Sequence, residues 1–154
     1  MKNLFVLASV VALLFGCTFS ADQEAALNSS LARYIQARNE CQVVGLVGFT
    51  YPELVRDFKS QGDSVFQHQF DCDKNPDYFN IIQNATLRTT SKENESIHVL
   101  YDFDEYNEGD GTFFKRAFEL VAISENDGVN WFFIPWKEYY DKNQCKNLKR
   151  LILK

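Results

Sequence analysis

The best set of residues for chemistry is a histidine followed by acids at even spacing. His98, Asp102 and Asp104 fall in Ile97 to Tyr106, where Ile97, Val99, Tyr101 and Phe103 alternate with His98, Leu100, Asp102 and Asp104. A strand sends alternate side chains to opposite faces, so an imidazole and two carboxylates would share one face. A carboxylate on that face can orient a histidine for general acid/base work, and Asp102 is the acid assigned to His98. Glu119, Arg116 and Tyr34 are further candidates to complete such a set. The plain alternative is the solvent-facing side of an alternating strand, which requires no chemistry at all.

Other motifs are weaker. Asp102, Asp104, Glu105, Glu108 and Asp110 cluster near a turn, and calcium takes oxygen ligands. The EF-hand spacing is missing, because Tyr106 stands at the fifth place and Asn107 at the sixth, so a solvated acidic loop accounts for the run. There is no Cys-x-x-Cys and no Cys/His cluster for zinc. Neither a phosphate-cradling glycine loop, a nucleophile elbow nor a His-Glu-x-x-His occurs, so nucleotide chemistry and those hydrolase classes lack support. No metal and no cofactor are expected. Asn28, Asn84 and Asn94 open glycosylation-type triplets that chance also produces.

The amino terminus gives a location. Lys2 supplies a positive start and Leu4 to Phe15 is an uncharged apolar run, shorter than the roughly 20 residues a spanning helix needs. Residues 1–17 therefore read as an export signal rather than a fold element. Two processing sites compete. Leu14-Phe15-Gly16-Cys17 resembles a bacterial lipobox, which would make Cys17 a lipidated first residue, although Phe15 is bulky for its place. Thr18-Phe19-Ser20 offers small residues for an ordinary cut before Ala21. The expected location is the cell envelope, lipid-anchored or periplasmic, with secretion as the alternative. Membrane contact would come only through the lipid anchor.

Export permits disulfides. With Cys17 lipidated or removed, Cys41, Cys72 and Cys145 allow one bridge and one leftover thiol, and spacing leaves the pairing open. The net charge of −5 argues against a polyphosphate partner, so no nucleic acid is expected. At 154 residues and 45% hydrophobic, the chain is long and apolar enough for one packed domain, read as 22–154.

The elements that must position these groups follow from periodicity. Leu27, Leu31, Tyr34 and Ile35 mark one face of a first helix over Asp22 to Arg38, with Asp22 as its cap. Gly45 and Gly48 loosen any helix over Glu40 to Gly48. Thr50-Tyr-Pro-Glu53 reads as a capping box opening a second helix with Leu54, Val55 and Phe58 inside, stopped at Gly62. Asp63 caps a third, with Phe66 and Phe70 four apart. The period then changes to two, predicting strands over Phe79 to Thr90, Ile97 to Tyr106, Thr112 to Ser124 and Val129 to Trp136, the last two joined tightly at Asn126-Asp127-Gly128. Lys137 to Lys154 would end in a short helix or a last strand. Helices followed by strands argue α+β. Both sheet faces carry large apolar groups, so one face needs cover beyond the helices, and a homodimer is the simple answer.

This order, with the Thr-Tyr-Pro-Glu start and the Asp127-Gly128-x-x-Trp131-x-Phe133 hairpin, resembles the NTF2-like (cystatin-like, SnoaL-like) superfamily in its exported bacterial envelope form. The resemblance implies N-terminal helices packed on a curved antiparallel sheet, a cone with an apolar cavity, with any acid/base residue on the concave face. Tyr34, Tyr51 and Trp136 are the residues expected to line the cavity. The expected function is non-catalytic binding of a small apolar ligand or a protein partner. An isomerase- or dehydratase-like enzyme using His98 and Asp102 is one alternative; an assembly protein dimerising through the sheet face is another. Ser124, Asn126, Gly128 and Trp131 also resemble an Asp-box, but a propeller needs repeated blades and one copy occurs. The expectation there is a hairpin whose polar side chains tie down the turn over a packed indole.

Overall fold

The computed structural model describes residues 19–76, 79–107 and 109–152. The export signal and Cys17 lie outside the described residues. Helix α1 spans Ala21–Asn39 and buries Leu27, Leu31 and Tyr34, as the spacing predicts. Its cap is Ser20, not Asp22. The Ser20 hydroxyl accepts from Gln23 N at 3.2 Å and the Gln23 side chain accepts from Ser20 N at 2.9 Å, a reciprocal capping box. Phe19 packs edge-on against Trp131, 6.1 Å between centroids, so the domain starts ahead of residue 22.

Helix α2, Val43–Phe49, forms where the glycines argued against one. The reason is packing: a Cβ at Gly45 would lie 3.2 Å from the Ala37 Cβ, so α2 approaches α1 through a glycine. Helix α3, Pro52–Ser60, buries Leu54 and Phe58 but lacks the predicted capping box. The Thr50 hydroxyl instead donates to Leu46 O at 2.7 Å, closing α2. Glu53 is taken by Asn147, whose N and Nδ2 both donate to Oε1 at 3.1 Å. Helix α4, Asp63–Phe70, starts after Gly62 at φ 114°, without a side-chain cap from Asp63, and fully buries only Phe70.

Four strands follow in the order β1(Ile82–Glu93), β2(Ser96–Asn107), β3(Thr112–Ser124), β4(Phe132–Pro135), an open, curved antiparallel meander. The fold is α+β. β1 runs three residues later than the alternation suggested, since Asn39 fixes its start by accepting from Ile82 N and donating to Ile82 O. β4 is only four residues long, because the 125–131 connection is a structured loop. There the Ser124 hydroxyl donates to Asn126 Oδ1 and accepts from Gly128 N at 2.9 Å; Asn126 Oδ1 accepts from Asn130 N; Trp131 Nε1 donates to Gly128 O. This is the tied-down turn over an indole. Gly128 sits at φ 81°, and a Cβ there would meet Gln23 Cγ at 2.8 Å.

Cross-strand partners share a face. Val99–Ala122–Phe133 and Tyr101–Leu120–Pro135 lie in register on one face, where the Tyr34 ring of α1 packs tilted on Phe133, 4.8 Å between centroids. The other face carries Leu100–Val121–Ile134 and His98–Ile123–Phe132. Its cover is the chain's own carboxyl end. Trp136 opens a short helix α5, Trp136–Tyr140, rather than closing a strand, and stacks on Tyr139. The segment 141–152 is neither helix nor strand. Arg150 gathers it by donating to the carbonyls of Tyr139, Asp141, Gln144 and Leu148. A second copy is therefore not needed to cover that end of the sheet.

Cys41 and Cys72 form the bridge, joining the end of α1 to the end of α4, and Cys145 is the buried free thiol. The bridge closes a loop with a sequence separation of 31. Its removal in a Cys41→Ser/Cys72→Ser variant is expected to lower unfolding free energy by about 3–4 kcal/mol. Urea denaturation with and without reductant measures this; an unchanged midpoint contradicts it.

Candidate functional site

His98 and Asp102 share a face, as predicted, but they are not brought together. They lie four residue steps apart along the strand, roughly 13 Å, and each has its own partners. His98 is fully buried beneath α5. Its Nδ1 lies 2.8 Å from the Tyr139 hydroxyl and its Nε2 3.3 Å from Ser96 Oγ. Tyr139 oxygen also accepts from Ile152 N at 3.0 Å. A neutral imidazole, donor at one nitrogen and acceptor at the other, completes this chain. Burial pulls the His98 pKa down to about 4.

Asp102 is 3% exposed and paired with Arg88, Nε to Oδ2 at 3.2 Å and Nη2 to Oδ1 at 3.1 Å. Arg88 also reaches Glu119 at 2.5 Å. Asp104 accepts from Asn84 Nδ2 at 2.9 Å and from Arg116 N at 3.1 Å, where Arg116 sits at φ 54° in a bulge. The described members of the acidic run are thus occupied by the protein's own donors, with Glu105 accepting from Asn80 and Asp110 from Thr112, while Glu108 lies outside the described residues. Among the described residues, no group of three or more His, Cys, Asp or Glu lies together as a metal site.

The three predicted ligand residues also separate. Tyr51 donates to Glu125 Oε1 at 2.7 Å, and Trp136 lies in the α5 stack. Only Tyr34 faces a chamber between the helical layer and the sheet. Its lining is Tyr34, Arg38, Leu46, Thr50, Leu54, Phe58, Gln69, Phe70, Phe79 and Pro135, around about 20 Å³, room for one water. Gln69 and Pro135 are the two lining residues with appreciable exposure and mark where the chamber meets the surface. A larger open groove of about 420 Å³ lies elsewhere, between the β1–β2 turn and the tail, with Glu93, Glu95 and Glu125 in its walls and Lys149 paired to Glu93.

Arg38 is the residue that sequence reasoning missed. Its position, four after Tyr34 on the inner stripe of α1, was the available signal. It is 1% exposed, with its guanidinium 4.3 Å from the Phe118 centroid and 5.3 Å from that of Phe79. Burial raises the pKa of the Tyr34 hydroxyl, an effect that the nearby Arg38 charge opposes.

No family model, curated protein or solved structure matches this chain.

The histidine carries a testable consequence. Its pKa is about 4 when folded and roughly 6.5 when unfolded, so between these values the unfolded chain binds more protons. The stabilisation is complete above pH 6.5 and is lost as pH falls toward 4, by up to about 3 kcal/mol. Comparing urea midpoints of the native chain and His98→Gln from pH 7 to 4, the gap between them should shrink on acidification. A gap independent of pH removes this role.

Proposed function

We propose that this is an exported, non-catalytic NTF2-like domain, anchored to a membrane surface through Cys17, that binds a small apolar ligand beneath its helical layer. One observation carries the binding reading. The chamber has apolar and aromatic walls, and its described lining includes no His, Asp, Glu or Cys that could exchange a proton near neutral pH. His98 and Asp102 lie on the opposite face of the sheet, tied into Tyr139 and Arg88. The helices-first order and the open curved sheet support the NTF2-like reading.

The closed chamber must open to admit a ligand, and α4 is the wall suited to move. It buries one residue fully, begins at a glycine with positive φ and is tethered at its far end by the Cys41–Cys72 bridge. That bridge also suits an oxidising, exported location. Processing at Cys17 is favoured because Phe19 and Ser20, which a cut before Ala21 would remove, pack on Trp131 and cap α1. Among the described residues, no helix is long and apolar enough to cross a membrane.

A second reading, a protein partner, draws on the β2–β3 arm, where Phe113 and Phe114 are exposed beside Ile81.

Mass spectrometry of the native protein should find a mature chain that starts at Cys17 with added acyl mass; a start at Ala21 rejects the anchor. Titration with the neutral fluorophore N-phenyl-1-naphthylamine should saturate at about one per chain and fail in a chamber-filling Leu46→Phe variant. Absence of saturable uptake by the native chain overturns the ligand reading and leaves the partner reading.

A further inference from the structure

We propose that the end of the sheet carrying the 125–131 loop docks on the lipid surface, with Val129 in the headgroup layer of a phospholipid bilayer of no net charge and the β2–β3 arm directed away from it. The inference rests on the Cys17 anchor proposed above and deepens it from a point of attachment to a docking face. Its first basis is the length of the tether. One residue, Thr18, separates Cys17 from Phe19. Two residue steps span at most about 7 Å, so an acylated Cys17 keeps the Phe19 backbone within that reach of the lipidated residue. Phe19 is itself fixed, since its ring packs on Trp131 and the next residue, Ser20, caps α1. The anchor therefore restrains one whole end of the domain.

Three segments meet at that end. Gln23 Nε2 donates to Asp127 O at 2.7 Å, joining α1 to the loop, and Asp127 N donates to Glu95 O at 2.8 Å, joining the loop to the β1–β2 turn. The loop presents Val129 at 69% exposure. Its backbone is already held by the Ser124 and Asn126 side chains, so Val129 can enter a headgroup layer without an ordering cost. β3 runs 13 residues from this end to Thr112. That length is about 40 Å, which puts Phe113 and Phe114 far from the tether. The charge of the lipid follows from the side chains around the loop. Asp22, Glu24, Glu95 and Glu125 are exposed there, while Lys92 and Lys149 are paired with Asp127 and Glu93. Such an end is repelled by an anionic surface over a range of about 10 Å at 0.1 M salt, and a zwitterionic surface spares it that repulsion.

The test uses the full mature acylated protein in phosphatidylcholine vesicles. Val129→Cys and Asn130→Cys variants carry the fluorophore NBD on the loop, and Phe114→Cys carries it on the arm. Cys41 and Cys72 are bridged, Cys145 is buried and an acylated Cys17 has no thiol, so the label goes to the introduced cysteine. Doxyl-labelled lipid should lower emission from 129 or 130 about twofold and change that from 114 by about a tenth or less, since an interfacial apolar group reaches about 5–10 Å into the bilayer. Replacing phosphatidylcholine with phosphatidylglycerol at low salt should weaken the quenching on the loop, and about 0.5 M salt should restore it. Quenching at 114 equal to that on the loop, or none at any position, overturns the docking face and spares the anchor. Quenching that anionic lipid leaves unchanged overturns the choice of a neutral surface. A native chain whose mass starts at Ala21 overturns the anchor and this inference together.

Discussion

Seven consecutive residues of β2, Ile97 to Phe103, are buried. A strand alternates faces at every residue, so a run of this kind cannot sit on a sheet with one dry side. The rest of the structure answers that constraint. The helical layer covers Ile97, Val99, Tyr101 and Phe103 through residues such as Tyr34, and the carboxyl-terminal segment covers His98 and Leu100. Asp102, at the margin of that second cover, needs no hydrophobic lid because Arg88 reaches over it. The transition from apolar to ionic cover along one strand face marks where the tail stops.

The two covers differ in how they are built. The helical side is held by apolar packing, with one guanidinium inserted between phenylalanines. The tail has little regular structure and is held by directed bonds. Arg150 binds four carbonyls, Asp57 accepts from Cys145 N at 2.7 Å, Glu53 holds Asn147, and Tyr139 links Ile152 to His98. Each such bond contributes only about 1 kcal/mol net, but leaving a buried partner unpaired costs more, so the set holds together as a unit.

What could be read from the chain follows from this division. The strands β2 and β3 were legible because alternation is local, and so was the inner stripe of α1. Misses occurred where distant residues decide. Asp22 reads as the cap of α1 until Gln23 is seen to return the hydrogen bond of Ser20. Gly45 reads as a helix breaker until Ala37 is found against it. Glu53 fits a capping box in sequence, yet Asn147, 94 positions away, takes its oxygen. The tail has no period to detect, since its order comes from bonds to other elements. The bridge pairing likewise depends on where α4 ends relative to α1. Of the residues proposed for chemistry, spacing placed His98 and Asp102 on one face correctly but could not tell that each had a private partner.

The position of His98 argues for its purpose. A buried leucine there would fill the space, but it would take from the Tyr139 hydroxyl its bond to the ring and leave Ser96 without its ring contact. An ionised group would need a counter-charge that the surrounding apolar residues do not supply. A neutral imidazole can accept at one edge and donate at the other, so it joins sheet, α5 and tail without carrying charge. The low pKa that makes His98 a weak base at neutral pH is the same property that lets it serve as this link. His98 and Asp102 are therefore committed to closing one face of the sheet, while Tyr34 and Arg38 line the small chamber on the other.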